Sequence, residues 1–255
     1  MGTALITGAS AGLGLEFAWQ LATARHDVVL VARDTGRLER LASQLRAAAG
    51  VHAEVLTADL TDRADVERVA ERLRATERRV GLLVNNAGLG IGQRFVGGDL
   101  AREEAALDLM VRAVLVLSHA AAGAMTERGR GAILNVASVA ALTAGGTYAA
   151  AKAWVRTFTE GLAVELEGTG VTATALCPGL THTEFHDRAG LRAAESYPEI
   201  AWLSADRVVA TALADVRRGA VISTPSLRYQ VASGLLRAMP RSVVRRLGDV
   251  RPDRD

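Results

Sequence analysis

The feature that most constrains the fold of this chain is the regular alternation of short apolar runs with longer amphipathic helical patterns. The apolar runs span Ala4 to Thr7, Val28 to Ala32, Ala53 to Thr57, Gly81 to Asn85, Ala132 to Val136, Val171 to Cys177 and Ala220 to Ser223. Helical patterns fill the intervals at Gly12 to Ala24, Thr35 to Ala48, Arg63 to Glu77, Leu100 to Arg128, Tyr148 to Glu167 and Ala205 to Val216. Apolar strands separated by helices are typical of a parallel sheet with crossover helices on both faces. We therefore predict an α/β fold with a doubly wound sheet of seven parallel strands.

The domain organisation is simple, because 255 residues fit one large domain and no repeat or linker divides them. We predict one domain over residues 1–225 and a basic amphipathic C-terminal tail over residues 226–255. Between Pro225 and Asp255 there are seven arginines against three aspartates. Apolar residues follow at four-residue steps, at Leu227, Val231, Leu235 and Met239. We favour packing of this tail on the domain or on a second subunit over binding to a membrane surface, since apolar residues are few and Pro240 interrupts the helix.

Composition excludes several other classes of protein. No apolar run approaches the ~20 residues that a membrane-spanning helix needs, and the N-terminus lacks the basic and apolar regions of a secretory signal. Cys177 is the single cysteine, so no internal disulfide can form and we expect a reducing, cytoplasmic location. Aromatic residues make up 4% of the chain and do not alternate with basic ones, so we expect no nucleic-acid partner.

A glycine-rich turn, Thr7 to Gly14, lies between the first strand and the first helix. Its glycines allow a tight turn and close approach of the backbone to a pyrophosphate, whose charge the N-terminus of the helix then stabilises. We predict a nucleotide-binding turn made by Gly8, Ser10, Ala11, Gly12, Leu13 and Gly14. The spacing is Gly-x-x-x-Gly-x-Gly.

The end of the second strand carries Arg33 and Asp34, where an acidic residue would bind the ribose 2′-hydroxyl of NAD(H). Arg33 can instead pair with a 2′-phosphate, which favours NADP(H). Asp34 precedes a helix and is more simply explained as its N-cap, so we favour the arginine as the residue that selects the cofactor.

Polar residues also follow the third, fourth and fifth strands, at Asp59-Leu60, at Asn85-Asn86-Ala87-Gly88 and at Ser138. The carboxyl ends of parallel strands form the edge at which open sheets bind ligands. Asp59 could equally cap the next helix, and Asn85 could link neighbouring strands. Ser138 precedes Tyr148 and is a candidate for holding a substrate oxygen.

Tyr148 and Lys152 lie four residues apart, which places both side chains on one face of a helix. An ammonium group at this position favours ionisation of the phenol and makes it a usable general acid or base. The chain contains 29 arginines and a single lysine, and that lysine is Lys152. Lysine is the cation whose pKa shifts readily on burial, so its use here favours a chemical role. Taken alone, the spacing is equally consistent with an ordinary alanine-rich helix that carries a solvated lysine.

Taken in order, five motifs resemble the short-chain dehydrogenase/reductase family in its single-domain form. They are Thr7-Gly8-x-x-x-Gly12-x-Gly14, Asn85-Asn86-Ala87-Gly88, Ser138, Tyr148-x-x-x-Lys152 and Pro178-Gly179-x-x-x-Thr183. The resemblance implies a Rossmann fold, an NAD(P) cofactor and hydride transfer between the nicotinamide and a carbonyl or alcohol carbon. Together with Arg33 it leads us to expect an NADP(H)-dependent reductase, reversibly an alcohol dehydrogenase, that acts on a small or medium apolar carbonyl compound. It also implies a homodimer or homotetramer.

The resemblance assigns roles residue by residue. Tyr148 would be the proton donor or acceptor, Lys152 would lower the pKa of Tyr148 and touch the nicotinamide ribose, and Ser138 would bind the substrate oxygen. Asp59 would lie near the adenine, Asn86 on the adenosine side and Thr183 beside the carboxamide. The other residues predicted to bind the cofactor are Leu60, Ala87, Gly88, Pro178, Gly179 and Thr181.

Two departures from the family pattern motivate an alternative. Met110 occupies the position of an asparagine that supports a proton relay in many members, and a thioether cannot donate a hydrogen bond. The interval from Ser138 to Tyr148 is a few residues shorter than in the family. The alternative is therefore an NADP(H)-binding protein of low or no redox activity, a sensor or scaffold; a lyase or isomerase on the same fold is a third possibility. His182 and His186 are spaced i, i+4, but their loop context argues against a metal site.

Overall fold

The computed structural model describes residues 2–184 and 198–247, and seven strands in these ranges pair in a single sheet. The strands are β1 (Thr3–Thr7), β2 (Asp27–Ala32), β3 (Ala53–Thr57), β4 (Val80–Asn85), β5 (Gly131–Val136), β6 (Val171–Leu176) and β7 (Ile222–Ser223). Their order is β3-β2-β1-β4-β5-β6-β7, and every neighbouring pair is parallel. The predicted sheet is confirmed, and each strand begins and ends within two residues of its predicted bounds.

Helices cover both faces of this sheet. They are α1 (Gly12–Thr23), α2 (Thr35–Ala49), α3 (Arg63–Arg74), α4 (Leu100–Leu107), α5 (Ala113–Thr126), α6 (Gly146–Glu165), α7 (Ala205–Arg217), α8 (Leu227–Ala238) and α9 (Arg241–Leu247). Helices α1, α2 and α7 pack on one face and α3, α5 and α6 on the other. The chain runs from β1 outward to β3 and then returns to β4 on the other side of β1, which is the Rossmann arrangement. Ligands bind such sheets in the crevice at this reversal, outside the carboxyl ends of β1 and β4.

The strands form because their side chains are apolar on both sides of the sheet. All five residues of β1 are buried. Leu5 and Ile133 belong to the core under α3 and α5, whereas Ile6 and Leu134 belong to the core under α1, α2 and α7. The side chains of adjacent residues therefore lie in opposite cores, as the two-residue repeat of a strand requires.

The stretch from Leu100 to Arg128 differs from the single helix that the sequence predicts. A π-helical turn at Asp108–Arg112 separates α4 from α5, and the stretch ends at Thr126. A π-turn inserts a residue without removing apolar side chains from the buried face, so hydrophobic spacing does not reveal it. Met110, which is 1% exposed, lies within the turn.

By length and hydropathy, the stretch Leu100–Thr126 would suit a membrane-crossing helix, and 44% of its most apolar window is buried inside the domain. Its α5 part packs against α3, β4 and β5. Leu117 and Met125 are fully buried there. We therefore interpret it as a core helix of the domain.

Part of the predicted C-terminal tail forms helices that contact the domain. Ser233 of α8 and Val244 of α9 are buried, and Arg241 donates a hydrogen bond to the Leu142 carbonyl at 3.2 Å. Residues 248–255 lie outside the described ranges. The domain boundary at residue 225 stays a prediction.

Candidate active site

A cavity of about 1450 Å³ extends along the carboxyl ends of the strands, from β3 to the segment after β6. This volume exceeds the ~300–1,000 Å³ of ordinary small-molecule pockets, so there is room for an extended ligand and a second, smaller one. The structure brings these predicted site residues together in its wall: Gly8, Ser10, Ala11, Gly12, Leu13, Arg33, Asp59, Leu60, Asn86, Ala87, Gly88, Ser138, Tyr148, Lys152, Pro178, Gly179, Thr181 and Thr183.

The turn from β1 to α1 forms one end of the cavity and needs its glycines. Gly8 and Gly12 have φ of 66° and 55°, in the region that favours glycine. Gly14 does not line the cavity. A Cβ atom on Gly14 would lie 2.2 Å from the Gly8 carbonyl oxygen, so its role is to let α1 pack against the turn. Asn86 secures the turn from β4 by donating to the Thr7 carbonyl at 2.9 Å.

The N-terminus of α1 faces the cavity without a side-chain cap from the described residues. By contrast, Asp34, Asp62 and Asp99 cap α2, α3 and α4. The first N–H groups of a helix carry a partial positive charge and need acceptors. An uncapped start on a glycine turn therefore fits the pyrophosphate of a dinucleotide.

Arg33 lies at the mouth of the cavity, with 76% of its side chain exposed and its guanidinium 3.9 Å from the Asp59 carboxylate. Asp34 caps α2 by accepting from the Arg37 amide at 2.9 Å, as the capping interpretation expects. Arg37 also lines the cavity and pairs with Glu184 at 3.2 Å. Sequence reasoning missed this second arginine, which lies in the first turn of α2, four residues after Arg33.

The alternatives for the other strand-end residues are resolved by their contacts. Asp62, not Asp59, caps α3, while Asp59 accepts from the backbone and hydroxyl of Thr61. Asn85 donates to Ser118 at 3.1 Å and to Asn135 at 2.9 Å, so it links β4 to its neighbours.

Ser138 follows β5 and reaches Tyr148 despite the short interval between them. Its hydroxyl caps a 3₁₀ turn at Val139–Leu142 by accepting from the Ala140 amide at 3.1 Å, and it forms a hydrogen bond with the Tyr148 phenol. The compact 3₁₀ turn takes up the interval without moving the two hydroxyl groups apart.

Lys152 is buried beside this pair and donates to the Val136 carbonyl at 2.8 Å. Its Nζ lies 5.9 Å from the centroid of the Tyr148 ring. Burial lowers the pKa of Lys152 to about 8, because the ammonium loses its hydration.

The pKa of Tyr148 moves in the direction opposite to the one the sequence suggests. Burial of the phenol raises its pKa to about 12, and the hydrogen bond with Ser138 opposes this rise. The lowering of this pKa that the sequence predicts from Lys152 is therefore not found, because desolvation of the phenolate dominates and the Lys152 ammonium bonds to Val136. The phenol is protonated throughout the neutral pH range.

Met110 lies near Lys152 beneath Gly88. A Cβ atom on Gly88 would be 3.6 Å from Lys152 Nζ and 3.9 Å from Met110 Cγ. Met110 is therefore close to the lysine, and it packs behind the site in a buried apolar cluster that Tyr148 contacts.

The segment after β6 is held by a residue that sequence reasoning missed, Tyr229 of α8. Its hydroxyl accepts from the Leu180 amide at 3.1 Å and donates to the Ala201 carbonyl at 2.7 Å. A Cβ atom on Gly179 would lie 2.0 Å from the Tyr229 ring. Leu203 also donates to the Leu180 carbonyl at 2.8 Å, so the two arms of the segment form a closed neck.

Glu103 of α4 is the third residue that sequence reasoning missed, after Arg37 and Tyr229. This buried carboxylate accepts from Gln93 at 3.0 Å and from the Thr147 hydroxyl at 2.5 Å. These hydrogen bonds lower the pKa of Glu103 and tie α4 to the first turn of α6. The sequence around Glu103 has the pattern of a solvent-exposed helix position, so it does not indicate the contact with Thr147.

The histidine pair is only partly described. His182 bonds to Glu199 at 2.9 Å and stacks on Trp202, whereas His186 lies outside the described residues. No group of three or more metal-ligating side chains is found in residues 2–184 and 198–247.

A family model for the short chain dehydrogenases matches residues 2–193. The chain belongs to this family. Sulfoacetaldehyde reductase 2 of Chromohalobacter salexigens is 38% identical over 186 residues, covering 71% of this chain and 73% of the relative. The fold and the oxidoreductase class predicted from the sequence are thereby confirmed.

Solved short-chain dehydrogenases share the same architecture. An enzyme from Sphingobium yanoikuyae in complex with NADPH has a TM-score of 0.84 at 35% identity, covering 100% of this chain and 98% of its own. A bulky-bulky ketone specific alcohol dehydrogenase from Comamonas testosteroni has a TM-score of 0.80 at 32% identity, covering 95% and 96%. A structure from Burkholderia phymatum in complex with NAD has a TM-score of 0.80 at 27% identity, covering 92% of each chain. The family architecture therefore holds either nicotinamide cofactor.

The buried lysine of this dehydrogenase predicts a specific dependence of stability on pH. The pKa of Lys152 is about 8 when folded and near 10.5 when unfolded, so the unfolded state binds more protons between these values. The free energy of unfolding of the wild type should therefore rise between pH 7.5 and 9.5 relative to that of Lys152→Met, by up to about 2 kcal/mol. Urea unfolding at both pH values measures this difference; parallel pH profiles would contradict the burial of a charged Lys152.

The contact between Gly179 and Tyr229 predicts a coupled pair of substitutions. Gly179→Ala should lower the free energy of unfolding by about 1–3 kcal/mol, because the new methyl group meets the Tyr229 ring. In a Tyr229→Ala background the same change should have a much smaller effect, giving a coupling energy of about 1–3 kcal/mol in a double-mutant cycle. Gly161→Ala is the matched control, since space around its Cβ is open. A coupling energy near zero would show that the ring does not pack on Gly179.

Proposed function

We propose that the chain is an NADP(H)-dependent oxidoreductase that acts on CH–OH and C=O groups of small or medium apolar substrates. One observation carries the proposal: the hydrogen-bonded Ser138 and Tyr148 hydroxyls lie beside buried Lys152 in the cavity that also contains the uncapped start of α1. When bound, NADPH would supply the hydride. The sulfoacetaldehyde reductase and ketone-specific relatives support chemistry at a carbonyl carbon.

The side chains support proton transfer in the direction of reduction. In this proposal the substrate carbon gains the hydride while its oxygen takes the phenol proton of Tyr148, giving an alcohol and a phenolate. A pKa of about 12 keeps the Tyr148 phenol protonated at neutral pH, so it carries the proton that the reduction consumes. Ser138 would hold the reacting oxygen, and the Lys152 ammonium would stabilise the phenolate as it forms.

The residues that line the substrate end of the cavity support an apolar substrate. Apolar side chains line it at Leu89, Ile91, Leu109, Val139 and Leu236. Arg102 also lines the cavity and donates to the Ile91 carbonyl at 3.3 Å. Pockets of this kind orient a ligand by a few polar groups, here Ser138 and Tyr148, within an apolar wall.

The cofactor preference rests on arginines at the outer end of the cavity. Arg33 and Arg37 both line it, and Asp34 is engaged as a helix cap. Two guanidinium groups favour the 2′-phosphate of NADP(H) over the 2′-hydroxyl of NAD(H).

Two further parts of the proposal concern the state of the protein. Exposed apolar side chains lie on α4, α5 and α6, at Leu107, Leu115 and Val164. We propose that these helices pair between subunits in a homodimer or homotetramer.

Cys177 is buried and its pKa is raised to about 11, so its thiol is unreactive and compatible with a reducing cytoplasm.

Replacement of the proton donor tests the reaction. Tyr148→Phe should lower kcat for NADPH-dependent reduction of aldehydes and ketones by about 10²–10⁴, because the ring remains and the proton is lost. The dissociation constant for NADPH, measured by fluorescence titration, should change little. Unchanged turnover in the variant, or binding of NADPH by the wild type without oxidation over a carbonyl panel, would favour the alternative of a nucleotide-binding sensor.

Replacement of Arg33 tests the cofactor preference. Arg33→Ala should raise the KM for NADPH by about 10- to 100-fold and leave that for NADH nearly unchanged, since a charge-assisted bond to the 2′-phosphate contributes about 1.5–3 kcal/mol. Arg40→Ala is the matched control, an exposed arginine of α2 outside the cavity wall. An equal loss with both cofactors would overturn the assignment.

A further inference from the structure

Helix α8 has two apolar faces, and among residues 2–184 and 198–247 only the inner one packs on the domain. Its inner face carries Tyr229, Ser233 and Leu236, which line the cavity. Its outer face carries Leu227, Val231 and Leu235, which are 74%, 56% and 57% exposed. Residues four apart lie one above another on a helix, so these three form a continuous stripe.

Basic residues flank this stripe. At 100° per residue, Arg228 lies on one side of it and Arg237 on the other. Arg228 donates to the Ile200 carbonyl, which places the 70% exposed Ile200 next to the start of the helix. From residue 226 to residue 247 the sequence contains five arginines and no aspartate or glutamate.

We propose that this outer α8 surface, made of Leu227, Val231, Leu235 and Ile200 with Arg228 and Arg237, binds an anionic lipid bilayer. A helix that lies in a membrane interface buries its apolar stripe among acyl chains and places its basic flanks at the headgroups. Arginine suits such a flank, because its stem covers apolar surface while its charge reaches the phosphates.

Charge complementarity favours lipid over a second copy of the chain on this surface. A two-fold contact between two α8 helices would pair each stripe with itself and bring Arg228 and Arg237 of both copies together. Residues 226–247 contain no acidic residue to neutralise them, and the carboxylate of Glu199, beside Ile200, is hydrogen-bonded to His182. An anionic bilayer supplies acyl chains for the apolar stripe and negatively charged headgroups for the two arginines.

The position of α8 links this surface to the cavity. Helix α8 is ~10 Å in diameter, and the cavity lies on its inner side, at Ala232 and Leu236. The outer surface is therefore about one helix diameter away from the cavity. Docking would therefore bring the substrate end of the cavity close to the bilayer, where apolar carbonyl compounds accumulate. This last step rests on the proposed function, whereas lipid binding itself does not.

Vesicle co-sedimentation of the full chain tests the proposal. The wild type should bind phosphatidylcholine vesicles that contain phosphatidylserine, lose binding at high salt, and bind vesicles of pure phosphatidylcholine at least ten-fold less. Leu227→Ser/Val231→Ser/Leu235→Ser and Arg228→Gln/Arg237→Gln should each weaken binding at least ten-fold. The matched control is Phe95→Ser/Val96→Ser, which removes exposed apolar side chains from a loop outside the cavity wall.

The outcomes separate this proposal from its rivals. Equal binding of all variants, or no binding to anionic vesicles, would overturn it. A halved sedimentation mass of the serine triple variant, without vesicle binding by the wild type, would assign the surface to a second copy. NADPH oxidation with a water-soluble aldehyde should be the same for the wild type and the outer-face variants, so a failure of the proposed function would appear there and not in the vesicle assay.

Discussion

The hydrogen bond from the Lys152 ammonium to the Val136 carbonyl fixes the geometry of the site. An ammonium group taken out of water needs an acceptor, and Val136 is the last residue of β5. This one bond therefore joins α6 to the end of the sheet. Ser138 follows two residues later, and Tyr148 precedes the lysine by one helical turn, so the same bond brings the serine and tyrosine hydroxyls to each other.

Features that depend on local sequence could be predicted. Apolar runs of the right length identify the strands, because β1 is buried on both faces and its three central residues are apolar. The turn after β1 is equally local, since Gly8 and Gly12 adopt positive φ. The spacing of Tyr148 and Lys152 needs only the geometry of a helix.

Features that depend on distant contacts or on burial could not be predicted. Tyr229 meets Leu180 from 49 residues away, and nothing in the intervening sequence indicates the contact. The direction of the pKa shift of Tyr148 follows from desolvation, which a sequence does not report. The π-turn around Met110 is likewise set by packing, since the apolar spacing remains helical on either side of it.

The closed neck of the segment after β6 makes one side chain of α8 responsible for two features of the cavity. Tyr229 contributes its own ring to the wall, and its hydroxyl also holds the backbone of Leu180, which continues that wall. A substitution at Tyr229 would therefore change the shape of the cavity twice, by removing the ring and by releasing the backbone amide that the hydroxyl accepts from. Evolution or engineering could alter the pocket through this residue of the C-terminal region without touching Ser138, Tyr148 or Lys152.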